Sequence, residues 1–490
     1  MPTLALKKIT LLSLSIWFLV ADLSKGILFC IQKLLYLLAA LLEVIKPTRV
    51  QSWILAMQLI VVVLTLISLV IFTSSYLSGS LFSSLIGLAI LGLWPKRRSA
   101  DLKRPIPLLQ AITRLIVGGA QETVMYLTDL LDKERFQVEV LSGPQTGSEG
   151  SLIEEVRANG IPVTILPDML REISPLHDFM ALLTMTNFIR TNRYTIVHTN
   201  SSKAGIIGRV AARMAGTPII VHTVHGWSFH EHMSPWLRGF YVALERFAAS
   251  FTDVMVVVAN QDIDKGLQAG IGRQGQYRLI RSAIPMEEFN PQHVNRRTVR
   301  EQLNIPLDAP VLGNVGRFSP PKNPFDWIEV AALVAEQLPE CYFLLVGDGK
   351  LRSETEALVE EKQLSERTIF TGLRRDVPEM LAAIDVFLLI SQWEGLPRVI
   401  PQAMAMQVPV VSTRVGGSAE AILQGETGYQ CNYGDLDGLA AYCLKLLRDE
   451  RLRAEMGQRG RDHAIQEFDV HRMVQQMAAL YEELLEIRSN

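Results

Sequence analysis

From about residue 105 to the C terminus, short apolar runs alternate with longer stretches of helical periodicity, and Gly, Pro, Asn or Asp mark the joins. The pattern predicts strands at 107–113, 136–141, 162–166, 196–199, 219–225, 254–258, 278–281, 311–315, 342–346, 368–371, 386–390, 408–412 and 428–431. Helices are predicted between them, among them a run to Leu131, then 150–159, 176–191, 203–215, 236–251, 261–269 with Asn260 as its cap, 325–337, 377–383, 398–406, 435–447 and a last amphipathic helix at 470–487. Strands that alternate with helices at this spacing imply parallel sheets covered by helices. The fold class is therefore α/β.

Before residue 100 the pattern changes. Residues 53–72 carry no charge over a length that spans a hydrocarbon core, and residues 77–94 are also uncharged. Residues 9–21 are apolar but short before Asp22, and residues 27–45 contain Lys33 and Glu43; either could span or lie in the interface. Lys7 and Lys8, Lys46 and Arg49, and the run Lys96, Arg97, Arg98, Lys103, Arg104 fall on one side of the segments. The positive-inside rule then puts both ends of a two- to four-helix membrane region in the cytoplasm. The expected organisation is a membrane region at 1–98, a first domain at 105–285, a second at 286–470 and a terminal helix at 471–490.

Composition adds limits. The 490 residues suffice for two or three domains, and 49% of them are hydrophobic, a surplus concentrated before residue 100. A net charge of −2 gives no drive toward nucleic acid. Cys30, Cys341, Cys431 and Cys443 form no C-x-x-C pair, against a disulfide scaffold or structural zinc.

Candidate chemistry gathers where strands end. Gly118 and Gly119 precede a helix and let backbone approach an anion, though two glycines also make an ordinary βα turn. His222, His225, His230 and His232 lie together with Glu231; a metal is one reading, yet the spacing is not that of paired ligands on a helix. Trp227, Phe229 and Trp236 either face lipid or pack the domain. After the strand 311–315 come Gly316, Arg317 and Lys322, two cations able to converge on one polyanion or to sit solvated at the surface. Gly347 and Gly349 flank a further turn without the full G-x-G-x-x-G fingerprint. Arg374 follows the strand 368–371. The strand 386–390 leads to Glu394, Gly395, Leu396 and Pro397, then to a helix bearing Gln402.

This last stretch, Glu394-Gly395-Leu396-Pro397, Gln402-Ala403-Met404-Ala405, Pro409-Val410-Val411 and Val415-Gly416-Gly417, resembles the retaining, nucleotide-sugar-dependent glycosyltransferases with the E-x7-E signature, family 4. The resemblance implies two Rossmann-like domains facing across a cleft, the GT-B fold. It implies that Glu394 holds the donor sugar, that Arg317 and Lys322 hold the diphosphate, that His225 contacts the sugar near the reacting centre, and that Gly118 and Gly119 lie near the diphosphate and acceptor. Gly316, Gly347, Arg374, Gly395, Leu396 and Pro397 would line the donor site, with Arg374 equally readable as a solvated charge. The signature's second acid is replaced by Gln402, which would meet the ribose by a neutral hydrogen bond. Family members commonly send the last helix back to the first domain.

The expected activity is transfer of a hexosyl group from a nucleoside-diphosphate sugar to an acceptor hydroxyl with retention. The membrane region suggests a lipid-linked glycan acceptor at the cytoplasmic face of the inner membrane. No cofactor or metal is expected, because no D-x-D-type grip stands in the loops. A sugar-nucleotide epimerase or phosphorylase on the same architecture, or a non-catalytic membrane scaffold, are the alternatives.

Overall fold

A computed structural model describes residues 94–100, 102, 105–145, 150–230 and 233–489. The expectations for the apolar segments before residue 94 lie outside the described residues; among those described, no helix is long and apolar enough to cross a membrane. The chain divides into one unit of Met1–Pro95 with His232–Ala243 and another of Lys96–Glu231 with Leu244–Asn490. In the first, Trp236 is exposed. All that follows concerns the second.

Its frame is two parallel sheets. The first has seven strands, β1 (Ile106–Arg114), β2 (Phe136–Gly143), β3 (Val163–Ile165), β4 (Ile196–Asn200), β5 (Ile219–Val224), β6 (Val254–Val257) and β7 (Tyr277–Leu279), in the order β3-β2-β1-β4-β5-β6-β7. The second has six, β8 (Val311–Val315), β9 (Tyr342–Val346), β10 (Thr368–Gly372), β11 (Val386–Leu389), β12 (Val410–Thr413) and β13 (Gly428–Cys431), in the order β10-β9-β8-β11-β12-β13. Every pairing between these strands is parallel. Central strands are therefore covered on both faces and read as unbroken apolar runs: Val386, Phe387, Leu388 and Leu389 are all buried.

Strand order fixes where a ligand belongs. It reverses between β1 and β4 in the first sheet and between β8 and β11 in the second. Crevices open beyond the carboxyl ends of strands at such switch points. The loops concerned carry Gly118 and Gly119, Ser201, Gly316 to Lys322, and Ser391 to Glu394.

The chain crosses between the sheets twice, side by side. Ile284 N–H donates to Phe468 O at 2.9 Å, and Val470 N–H donates to Ile284 O at 3.1 Å. The helix Val470–Ser489 then packs onto the first sheet. Met473, Met477, Leu480, Tyr481, Leu484 and Leu485 share a core with Ile106, Leu108, Phe136, Ile196, Val221 and Val254. The basic linker before β1 is also docked, with Arg97 Nη1 2.7 Å from Asp253 Oδ2.

Most element ends shift by one or two residues from the sequence reading. One difference has a chemical reason. The helix Asn260–Gln268 starts at Asn260 itself, and the Asn260 side chain accepts no bond from its first turn. Glu420, from the other domain, takes the capping role: its carboxylate accepts from Asn260 N–H at 3.0 Å and Gln261 N–H at 2.9 Å. A carboxylate is a stronger acceptor than an amide and also opposes the positive end of the helix dipole.

Candidate active site

The loop after β11 holds the acid. Glu394 Oε1 accepts from Ser391 Oγ at 2.6 Å and is ion-paired with Lys322 Nζ, which comes from the loop after β8. Lys322 is 28% exposed and Glu394 13%, so the pair lies in a crevice open to solvent. Glu394 Oε2 makes no hydrogen bond among the described residues and has lone pairs for a ligand. Arg317, in the same loop as Lys322, is exposed and has no partner among the described residues. The loop stands on a tight backbone crossing. Gly347 sits at φ +135°, and a Cβ there would lie 2.0 Å from Gly316 O. Only glycine fits such an approach.

The first domain meets this group at β5's end. A Cβ on Gly395 would lie 2.2 Å from His225 O, so the backbone of the second domain's acid loop rests directly on that of the first domain's histidine. His225 Nε2 is 3.0 Å from Asn200 Oδ1 at the end of β4. Burial, and then the Arg398 guanidinium, push its pKa down to about 4, so the ring is neutral near pH 7. Beside it His230 and Trp393 stack across the cleft, with ring centroids 4.5 Å apart.

Arg398 joins the two walls a second time. It starts the helix after Glu394, is buried, and pairs with Glu122 in the first turn of the helix Gly119–Leu130. Its Nε donates to Ala283 O at 3.0 Å, and its guanidinium lies over Tyr126 at 5.3 Å. Its Cδ would be 3.4 Å from a Cβ on Gly119, so the glycine turn and the acid motif are neighbours.

The structure thus brings Gly119, His225, Lys322, Glu394 and Gly395 together, with Gly118 and Gly316 in the flanking turns. Other candidates stand differently. Leu396 is buried in the second domain's core, and Pro397 is buried too, so their side chains are packing groups. Arg374 is turned onto Asp376, Nε to Oδ1 2.7 Å, and touches none of the other candidates among the described residues. Its neighbour Arg375 is the one that reaches the first domain, 3.0 Å from Glu155. Gln402 is 8% exposed, and its side chain makes no hydrogen bond among the described residues. Phe229 is buried against Trp227, whose Nε1 donates to Asp262 O at 2.8 Å, so these two aromatics pack within the domain.

Sequence reasoning missed Arg398, Ser391, Asn200 and Glu420. For Arg398 there was a signal: it is the only charge between Glu394 and Arg414. Among the described residues no group of His, Cys, Asp and Glu is gathered as a metal site.

Two parallel α/β domains that meet at their switch points, with an acid loop, a cationic loop and a strand-end histidine on the shared crevice, define the architecture of the two-domain glycosyltransferases. Comparison with known proteins agrees. Residues 295–463 match the family of group 1 glycosyl transferases, and residues 118–281 match the glycosyl transferase 4-like domain. The Escherichia coli UDP-Gal:alpha-D-GlcNAc-diphosphoundecaprenol alpha-1,3-galactosyltransferase is 30% identical over 373 residues, 75% of this chain and 94% of that protein. The Staphylococcus aureus capsular polysaccharide biosynthesis glycosyltransferase CapM is 24% identical over 73% of this chain and 92% of its own length. Among solved structures, Anabaena HepE in complex with UDP-glucose superposes with a TM-score of 0.66 at 23% identity, covering 77% of this chain and 100% of HepE. The chain belongs to the group 1, family 4-like glycosyltransferases with the GT-B fold, and it is a glycosyltransferase.

Proposed function

We propose that this protein transfers a hexosyl group from a nucleoside-diphosphate sugar to a hydroxyl of a lipid-linked glycan, with retention, at the cytoplasmic face of a membrane that its first hundred residues enter. The observation that carries this is the set facing one crevice: Glu394 with an unengaged Oε2, Lys322 and Arg317 beside it, and a neutral His225 opposite. Glu394 Oε2 accepts from hydroxyls of the donor sugar. The diphosphate takes Lys322 from its ion pair with Glu394 and meets Arg317, so the two cations hold the charge that grows as the anomeric C–O bond breaks. Preorganised charges of this kind supply large rate terms in a crevice partly closed to water. The acceptor oxygen attacks on the face the diphosphate leaves, and a diphosphate oxygen takes its proton. Among the described residues no second carboxylate stands beside Glu394, which favours this front-face route over a covalent intermediate. With two cations in place, a metal is not required. Gln402 meets the ribose through its amide.

The E. coli relative's name specifies a UDP-galactose donor and a diphosphoundecaprenol-linked acceptor, which supports a lipid-linked acceptor here. The apolar segments before residue 98 support a membrane site. The test is a screen of labelled nucleotide sugars with the purified full-length chain and polyprenyl-diphosphate-linked acceptors, with the product's anomeric configuration read by NMR. Retained configuration in an acceptor-dependent product supports the reading. Donor turnover with no acceptor-dependent product points instead to an epimerase or phosphorylase, and an inverted product sinks the front-face route.

A further inference from the structure

Behind His225 a line of buried polar side chains runs through the first domain to the last helix. His225 Nε2 is 3.0 Å from Asn200 Oδ1. Asn200 Nδ2 donates to Gln110 Oε1 at 3.0 Å. Gln110 Nε2 donates to Tyr481 Oη at 3.0 Å. Tyr481 Oη is 2.6 Å from His198 Nδ1, and His198 Nε2 is 2.6 Å from Thr223 Oγ1. Gln110, His198, Asn200, Thr223 and Tyr481 are all buried. Gln110, Asn200 and Thr223 come from β1, β4 and β5, whereas Tyr481 comes from a helix 371 residues after Gln110.

An apolar core needs no such line, and every member left unpaired would cost stability. The line is satisfied only if each member donates in the same sense. In the sense seen here, Asn200 Oδ1 accepts, so His225 carries its proton on Nε2. Its Nδ1 makes no hydrogen bond among the described residues and holds a lone pair. If the two amides were reversed, Asn200 would donate and the proton would move to Nδ1, turning that atom from acceptor to donor. The ring nitrogen free to meet a ligand therefore has its role set by the hydrogen bond on the other nitrogen.

We propose that Asn200, Gln110 and Tyr481 are positioning residues that hold His225 in its Nε2–H form, so that Nδ1 accepts a hydrogen bond from a hydroxyl of the sugar substrate. This rests on the reading of His225 as a substrate-contacting residue. The C-terminal helix is then part of the active site's proton arrangement. Of the charged and titratable groups that face the ring, Arg398 from the second domain and His222 from the same strand, β5, lie off the Nε2–Asn200 bond, whereas His198 belongs to the line and loses its Tyr481 contact in Tyr481→Phe.

The experiment uses the full-length protein labelled with 15N-histidine, with the His225 signals assigned by their loss in His225→Gln. Imidazole 15N shifts read the tautomer without any turnover. The parent is expected to show Nε2–H at neutral pH. Tyr481→Phe keeps the ring packed on Phe136 and removes only the hydroxyl. It is expected to give mixed tautomers and to lower kcat by roughly three- to tenfold, the loss expected for one misdirected hydrogen bond. Asn200→Asp, nearly isosteric, keeps the acceptor but adds charge; it is expected to hold the ring doubly protonated to higher pH and to lower kcat further. Should Tyr481→Phe fail to fold, Asn200→Asp carries the same readout. A parent ring in the Nδ1–H form, or both variants with unchanged tautomer, protonation and kcat, overturns the proposal. His225→Ala with parental transfer would instead overturn the site reading and leave the tautomer result standing on its own.

Discussion

Arg398 offers the sharpest test of how the two domains are held. Its side chain is 4% exposed, and that of its partner Glu122 is 22% exposed. Arg398→Met keeps an unbranched stem and removes the guanidinium. Glu122 loses its cation, the Ala283 carbonyl loses the donor at 3.0 Å, and Tyr126 loses the charge over its ring. Removing one partner of a fully buried ion pair costs about 3–5 kcal/mol. Glu122 reaches solvent, which places the cost at the lower end, about 3 kcal/mol. At roughly 2–4 °C per kcal/mol for a domain of 150–250 residues, the melting transition of ligand-free protein falls by about 6–12 °C. The double variant Glu122→Gln, Arg398→Met leaves no buried ion unpaired and is expected to recover a large part of that loss. Near-ultraviolet circular dichroism on heating, with all four members of the cycle, gives the coupling. A single variant within about 0.5 kcal/mol of the parent, the range of surface substitutions, would refute the reasoning. So would a double variant less stable than the single.

Other predictions follow from the same geometry. Lys322→Ala and Arg317→Ala should each lower kcat at saturating donor by about 10²–10³, the usual scale for loss of one charge-stabilising group; parental kcat in either would remove that cation from the diphosphate. Gln402→Ala should weaken nucleotide binding by about fivefold in calorimetric titration, the equivalent of one neutral hydrogen bond near 1 kcal/mol, and unchanged affinity would mean the amide does not touch the ribose. For Glu420, burial pushes the carboxyl up, but the Asn260 and Gln261 N–H groups and Arg281 outweigh it and hold it below the usual range. Its contribution to domain closure is then present above the unfolded pKa and is lost as pH falls through the depressed folded value. Small-angle scattering should record opening on acidification, with Glu420→Gln already more open at neutral pH; identical curves would sink that reading.

Much of this arrangement is written locally in the chain. β8, β9 and β13 fall where apolar runs are cut by Gly, Pro or Asp, because such strands are covered on both faces and their pattern needs no partner to interpret. Glu394 and Lys322 were legible for a similar reason: each follows a strand directly, at a turn where glycine lets the backbone fold sharply. The clasps between domains were not legible. Arg398 finds Glu122 across 276 residues, and Glu420 caps a helix 160 residues earlier. Nothing within either segment specifies the other, and a local rule assigned the cap to Asn260 because Asn is the usual choice there. Leu396 and Pro397 show the converse case. They lie inside the signature that marks the site, yet their side chains face the core, since a loop that carries one acid outward must anchor its other residues inward.

The helix Val470–Ser489 has a consequence for biogenesis. Ile106, Leu108 and Phe136 leave the ribosome well before Met477, Tyr481 and Leu485, which cover them. The first domain cannot complete its interior during synthesis; its sheet waits, one face uncovered, until the second domain has emerged. A stop codon after Asp469 would leave that face bare in every molecule, and such chains are expected in the insoluble fraction, with β8 to β13 still protected from protease. Assembly thus runs against the order of translation: the half made first is finished last.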